Sequence, residues 1–263
     1  MTYLIPALIL GGCGILAGVL LTVASKIFYV KVDEKIEKIN ESLPQANCGA
    51  CGYAGCGDYA AAIVNDGAET NLCKPGGVDA AGKIAAILGT TAVEVIPTAA
   101  VVHCNGNCEA TESAFEFDGV QSCKAAKRFY GGSGKCRYGC LGLGDCAEVC
   151  DNDAIVIKNG LASVIKSKCG SCGKCVKACP NSLISIRPLA KHIDVLCSSK
   201  DNGKLTKMSC KNGCIGCKIC EKKCPNGAIT VTDFHASINY DLCTNCGICM
   251  TACPVKAIHS CVK

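Results

Sequence analysis

GCIGCKICEKKCP (213–225) and CTNCGICMTACP (243–254) decide the fold of this chain. Each carries the run C-x2-C-x2-C-x3-C, closed by proline, whose thiolates wrap a [4Fe–4S] cube. Where two such runs occur together, the fourth cysteine of each crosses to the other run's cube. Cys214, Cys217, Cys220 and Cys253 therefore form one expected ligand set, and Cys243, Cys246, Cys249 and Cys224 the other. Between the runs, AITVTDFHASINY (228–240) alternates apolar and polar residues as a β-hairpin does.

Working outward, the same pattern stands 74 residues upstream. Cys123, Cys136, Cys140, Cys146, Cys150, Cys169, Cys172, Cys175 and Cys179 recur as Cys197, Cys210, Cys214, Cys220, Cys224, Cys243, Cys246, Cys249 and Cys253. A repeat at fixed offset reads as a duplicated module. AIVIKNGLASVIK (154–166) supplies the matching hairpin, with Asn159-Gly160 as a two-residue turn signal. Two tandem ferredoxin-like 2[4Fe–4S] modules are expected, over 123–196 and 197–263. The first copy departs at one ligand position, where Leu143 stands in the place of Cys217. Cys150, Cys169, Cys172 and Cys175 remain a full set, but Cys140, Cys146 and Cys179 lack a fourth member. Either Cys136, four residues before Cys140, swings in, or the site holds a three-iron [3Fe–4S] cluster. Cys136 is the favoured reading.

Seven cysteines are then unspent: Cys13, Cys104, Cys108, Cys123, Cys197, Cys210 and Cys261. Cys104, Cys108 and Cys123 stand in C-x3-C-x14-C spacing and, with Cys197 or Cys210, suggest a sixth cluster. Buried free thiols are the bland alternative. Cys13 is read as a small apolar residue, and no role is assigned to Cys261.

Upstream, NCGACGYAGCGDYA (47–60) and NLCKPGG (71–77) place Cys48, Cys51, Cys56 and Cys73 in C-x2-C-x4-C-x16-C spacing. Glycines among them let the backbone turn tightly around a cofactor. This is a separate four-cysteine [4Fe–4S] domain, read over 45–80. A linker with extra cysteines is expected over 81–122, with a helix in DAAGKIAAILG (79–89) and an edge strand in VEVIPTAAVVH (93–103) broken at Pro97. His103 reads as a solvent-facing or capping residue.

At the amino terminus, LIPALILGGCGILAGVLLTVA (4–24) carries no charge, and the uncharged run from Tyr3 to Ser25 has the length of a membrane span. A single-pass anchor over 1–30 is expected, retained because no cleavage signal follows. Lys26 and Lys31 place the remainder on the cytoplasmic side. Gly14 and Gly18 form a small-xxx-small step. An amphipathic stalk over 31–44 follows, with Val32, Ile36, Ile39 and Leu43 on one stripe.

The expected fold class is α+β: the N-terminal transmembrane helix, the small four-cysteine domain, and the two modules. Composition agrees. The chain has 27 cysteines in 263 residues, no tryptophan and only 5% aromatics. An odd total at spacings of two and three argues against a disulfide scaffold and for metal ligation in a reducing compartment. Zinc ribbons rarely place three cysteines within seven residues before a Cys-Pro. The formal charge of +5 belongs to the apo chain. Five four-thiolate cubes at roughly −2 each make the holoprotein acidic, so nucleic acid is not an expected partner. No dinucleotide fingerprint, P-loop or nucleophile–base pair is present, and GGSGKC (131–136) lacks Walker spacing. The chain reads as a wire, not a site of bond-making. Lys124, Lys127, Arg128, Lys135 and Arg137 form a basic cluster suited to docking an acidic electron carrier.

The order of these segments, with LPQANCGACGYAGCGDYA, NLCKPGG and the cysteine-deficient GCLGLGDC, closely resembles the B-subunit of the Rnf complex, the membrane-bound ferredoxin:NAD⁺ oxidoreductase. Asp151, where the first run would end in proline, is one departure. The resemblance implies electron entry from reduced ferredoxin and passage to other membrane and peripheral subunits. It also implies coupling to Na⁺ or H⁺ translocation in a bacterial inner membrane. At least five and as many as six [4Fe–4S] clusters are expected. A polyferredoxin serving a hydrogenase or another reductase, and a corrinoid-reactivating module, are the competing readings.

Overall fold

A computed structural model describes residues 4–27, 33–91 and 93–261. Lys31 and Val32, invoked above for topology and for the stalk stripe, lie outside these, as does Tyr3. The first helix, α1, spans Leu4–Ile27. Among the described residues no helix is long and apolar enough to cross a membrane. The expected single-pass anchor, and the inner-membrane localisation resting on it, are corrected accordingly. Ile15, Leu16, Val19, Leu20 and Leu21 are exposed along α1.

Three helices build the next unit: α2 (Glu34–Ser42), α3 (Cys56–Asn65) and α4 (Gly77–Leu88). Asp33 caps α2 by accepting from Lys35 N at 2.9 Å. The stripe read as a stalk packs inward. Ile39 is fully buried and Leu43 nearly so, in one core with Tyr59, Ala60, Ile63, Ala80 and Ile84. Cys73 lies in the same core, so the apolar stripe covers a thiol-bearing site instead of spacing it from something else.

The remaining chain is two copies of one design. In the first, β1 (Thr98–Val102) pairs antiparallel with β4 (Ile184–Pro188), and β2 (Ile155–Lys158) with β3 (Leu161–Val164). Helices α5 (Cys123–Arg128), α6 (Asp145–Glu148) and α7 (Lys174–Ala178) complete it. In the second, β5 (Ile193–Val195) pairs with β8 (Ile258–Ser260), and β6 (Ile229–Thr232) with β7 (His235–Ile238). Its helices are α8 (Gly203–Ser209), α9 (Ile219–Lys223) and α10 (Ile248–Ala252). The hairpins turn through positive φ at Asn159 and Gly160 in one copy and at Asp233 and Phe234 in the other, the primed-turn geometry that matches strand twist.

Strand β1 lies inside the stretch expected to be a linker, yet it is the outer strand of the first copy. The 74-residue repeat hides this. Cys104 follows β1 as Cys197 follows β5, but those two stand 93 residues apart. The first copy carries an insertion between its outer strand and its cysteine run, and that insertion contains α5.

A buried ion pair joins the copies. Arg187 on β4 and Asp194 on β5 meet at 2.5 Å with side chains 1% and 0% exposed. Tyr240 donates to the other carboxylate oxygen at 2.7 Å, and Arg187 also donates to Pro188 O at 3.0 Å. His103 is a second joint. Its ring lies 3.0 Å from Val195 O and 2.6 Å from Ser185 Oγ, which corrects the solvent-facing expectation.

Candidate metal centres

The thiols gather in sets of four, and three of these sets line voids. Cys224, Cys243, Cys246 and Cys249 line one, and Cys214, Cys217, Cys220 and Cys253 another. These are the crossed sets that the spacing implies. In the first copy, burial first and then the neighbouring sulfurs of Cys169, Cys172 and Cys150 push the Cys175 thiol up to about 11. In the helical unit, burial likewise raises Cys73, beside Cys56, Cys51 and Cys48. Among the described residues no three His, Cys, Asp or Glu side chains close on one point as a single ion would require. The two voids are walled by apolar side chains, Ala228, Ile229 and Ile238 in one and Val231, Ala236 and Ala257 in the other.

The fifth set differs from expectation. Cys140, Cys146 and Cys179 share their void with Cys123, and Cys136 is not among its lining residues. Burial raises the Cys146 thiol to about 12, followed by the nearby Cys140, Cys123 and Cys179. Cys123, and not the expected Cys136, is thus the fourth thiol lining this void. The cause is local. Asp145 accepts from Cys123 N at 2.7 Å, Lys124 N at 3.0 Å and Ser122 Oγ at 3.0 Å. Burial of this carboxyl opposes ionisation, but the three donors together hold it below its ordinary range. The first turn of α5 is thereby clamped over the void. At the repeat-equivalent position the second copy has Ile219. The loss of a cysteine at Leu143 and the gain of Asp145 form one signal, legible in the sequence but meaningful only as a pair.

The expected Cys104–Cys108–Cys123 group is not brought together. Cys108 is exposed and lies on the hairpin turn, its N–H donating to Asn159 O at 3.0 Å. A Cβ at Gly160 would stand 2.7 Å from its sulfur, so glycine is required there for contact as well as for φ. Cys261 lies against the buried ion pair; burial first, then Asp194, raises its thiol to about 11.

Backbone donors reach the sulfurs in register. Ala154, Leu183, Ala228 and Ala257 donate to Cys150, Cys179, Cys224 and Cys253 at 3.4, 3.4, 3.3 and 3.3 Å. Each links the last cysteine of a run to the residue four positions on. Such bonds stabilise thiolate charge and tune a bound centre. In the helical unit the tyrosine of α3 plays the supporting role. Tyr59 Oη donates to Glu69 O at 2.8 Å and accepts from Leu72 N at 3.2 Å, next to Cys73. Tyr59→Phe is expected to destabilise this unit by about 1–3 kcal/mol through the unsatisfied Leu72 N–H. Faster loss of its iron signal on mild denaturation is the check, and an unchanged rate would refute the role.

The basic cluster is partly spent internally. Lys135 pairs with Glu112, and Arg137 with Asp201 at 3.0 Å. Lys127 Nζ donates to Arg137 O at 3.0 Å. Lys124 and Arg128 remain on α5, beside exposed Phe129 and Tyr130. Asp151, the departure from proline, pairs with Lys174 at 2.6 Å.

Three family models match the chain: an Fe-S cluster model over residues 43–75, a 4Fe-4S binding domain over 162–185 and a 4Fe-4S dicluster domain over 213–257. The chain is 43% identical over 261 residues to the B-subunit of the Na(+)-translocating ferredoxin:NAD(+) oxidoreductase complex of Acetobacterium woodii, covering 99% of this chain and 78% of the relative. It is 43% identical over 252 residues to the B-subunit of the ion-translocating oxidoreductase complex of Methanosarcina acetivorans, covering 95% and 96%. A third relative is the B-subunit of the proton-translocating ferredoxin:NAD(+) oxidoreductase complex of Clostridium ljungdahlii. It is 36% identical over 254 residues, covering 95% and 89%.

Proposed function

The chain belongs to the B-subunit family of ion-translocating ferredoxin:NAD⁺ oxidoreductase complexes and carries electrons on iron–sulfur centres, and on that premise we propose that it accepts electrons from reduced ferredoxin and relays them through at least five [4Fe–4S] sites. The sites are Cys48/Cys51/Cys56/Cys73, Cys150/Cys169/Cys172/Cys175, Cys123/Cys140/Cys146/Cys179, Cys214/Cys217/Cys220/Cys253 and Cys224/Cys243/Cys246/Cys249. The single observation that carries this is the arrangement of twenty thiols in five sets of four, each from separated parts of the chain. A bound cube supplies one-electron storage with no bond made or broken. NADH formation by the complex consumes two electrons and one proton per NAD⁺, so each product requires two passages.

What the chain's own residues do is hold and tune. Its thiols give up protons on loading, and buried sulfurs such as Cys146, Cys175 and Cys220 keep theirs until iron displaces them. The peptide N–H donors at Ala154, Leu183, Ala228 and Ala257 favour the more negative, reduced state of each site. The crossed sets place two sites within each module. The helical unit abuts the first module. Lys174 lies in the field of both Cys172 and Cys48, and a Cβ at Gly170 would stand 3.9 Å from Pro75 Cβ.

Iron and acid-labile sulfide in the anaerobically purified chain, with reduction by reduced ferredoxin followed optically, test this reading. Zinc in place of iron, or no reduction, would end it. The exposed Lys124 and Arg128 suit an acidic ferredoxin, whose capture electrostatic steering would accelerate. Lys124→Glu/Arg128→Glu is expected to slow reduction about tenfold or more at low salt and to flatten its salt dependence. An unchanged rate and slope would remove this face as the docking site.

A further inference from the structure

The cysteine runs of the two modules differ in one closing residue. Pro180, Pro225 and Pro254 follow Cys179, Cys224 and Cys253, but Asp151 follows Cys150. A second departure accompanies it. Lys174 precedes Cys175 where Ile248 precedes Cys249, at the same offset of 74 residues that relates Asp151 to Pro225. These two departures meet. Lys174 Nζ donates to Asp151 Oδ2 at 2.6 Å, with side chains 35% and 60% exposed. A third stands nearby. Thr244 of the second copy, whose hydroxyl lies 3.3 Å from Asn226 Nδ2, is replaced in the first by Gly170. Pro75 of the helical unit packs there, 3.9 Å from where a Cβ would be.

This junction lies between two ligand sets. Pro75 follows Cys73 by two residues, and Gly170 stands between Cys169 and Cys172. Lys174 spans it electrostatically. Its hydrogen bond to Asp151, and after that the sulfurs of Cys172 and Cys48, hold the ammonium above its ordinary range. It is therefore a fixed positive charge at neutral pH, close to one thiol of the first module and one of the helical unit. An ion pair this exposed contributes little to stability, so folding alone gives no reason to replace proline and isoleucine here. An electron held at either site adds negative charge, which an adjacent cation stabilises.

We propose that Lys174, oriented by Asp151, raises the reduction potentials of the Cys48/Cys51/Cys56/Cys73 and Cys150/Cys169/Cys172/Cys175 sites together. One charge shared by both keeps them level, so an electron crosses between the helical unit and the first module without a large step in energy. The inference rests on the five-site reading and deepens it. In each passage the donor site is oxidised by one electron and the acceptor site is reduced by one. No bond or proton changes place, and the electrons originate in the reduced ferredoxin consumed by the complex. Asp151 is the positioning residue of the pair, and the proline it displaces could not have served.

Redox titration of the full-length chain, loaded anaerobically with iron and sulfide and followed by spin-quantified EPR, tests this. Lys174→Gln should lower two of the centres by about threefold or more in the reduced-to-oxidised ratio, about 28 mV for one electron. Asp151→Asn should instead raise the centre that Cys150 serves, because it leaves the Lys174 charge uncompensated beside Cys172. Lys174→Arg should keep the wild-type potentials. Lys38→Gln, which breaks the exposed Lys38–Glu34 pair of α2, should shift none. Iron content should match wild type in every variant. Shifts of opposite sign mark a charge effect, whereas a bridge that merely held the fold would move both variants alike. Unshifted potentials in Lys174→Gln at full iron content overturn the inference and leave the five-site reading standing. Loss of iron from Lys174→Gln assigns the pair a structural role and also overturns it. A wild-type chain that binds zinc in place of iron defeats both readings.

Discussion

Cys123→Ala is expected to strip about four irons from the chain, and adding Leu143→Cys is expected to bring them back. The first effect follows from the void shared by Cys123, Cys140, Cys146 and Cys179, where alanine leaves three thiols and an open coordination position. Three thiols do not retain the cluster, and its EPR signal is expected to be lost with the iron. Electron passage through the first module should fail with it, because that site lies between the module's other cluster and the second module. The rescue follows from the repeat. Position 143 corresponds to Cys217, which lines the equivalent void in the second copy, and Gly142 and Gly216 share the same left-handed turn at φ 71 and 66. A Cβ at Gly142 would stand 2.5 Å from Gly160 O, so the turn that presents residue 143 is held against the hairpin. If Leu143→Cys fails to restore iron in the Cys123→Ala background, the turn does not aim position 143 into the void. If Cys123→Ala itself loses nothing, the assignment of Cys123 is wrong. Asp145→Ala should show the weaker form of this phenotype, slower loading and faster loss at one site, since only the clamp on α5 is removed.

Removing one partner of the ion pair between the modules should have the largest effect on stability. Asp194→Ala leaves the Arg187 guanidinium buried without its counter-charge, and leaves the Tyr240 hydroxyl without its acceptor. Uncompensated buried charge costs about 3–5 kcal/mol. The pair lies between β4 and β5, so the loss should appear as separation of the two modules. Denaturant-induced bleaching should shift to lower midpoint, with new proteolytic cleavage near residues 188–193. The apolar double variant Arg187→Met/Asp194→Leu should recover most of the loss, since buried pairs replaced together by hydrophobic side chains are often neutral. If Asp194→Ala unfolds at the wild-type midpoint, the pair contributes nothing to the module interface. If the double variant is as weak as the single, the pair's value lies in its geometry and not merely in avoiding a lone charge.

The sequence by itself determined every feature set by short covalent spacing. The C-x2-C-x2-C-x3-C runs announce crossed sets because ligands two or three residues apart can reach one cube only through a tight loop, while the fourth is carried away by the following turn. The hairpins were legible for the same reason, since Asn159-Gly160 dictates its turn locally. Three things were decided only by tertiary structure. Cys123 enters the first module's void because a carboxylate 22 positions later caps its helix, a contact of long separation with no periodic trace. Cys104 takes the place equivalent to Cys197 because β1 pairs with β4, and an insertion shifts it out of the repeat that counting detects. Arg187 and Asp194 meet because two outer strands face each other across a boundary. Each depends on which distant surfaces come together once conformational entropy has been spent on folding, and a pattern read along the chain contains no record of that choice.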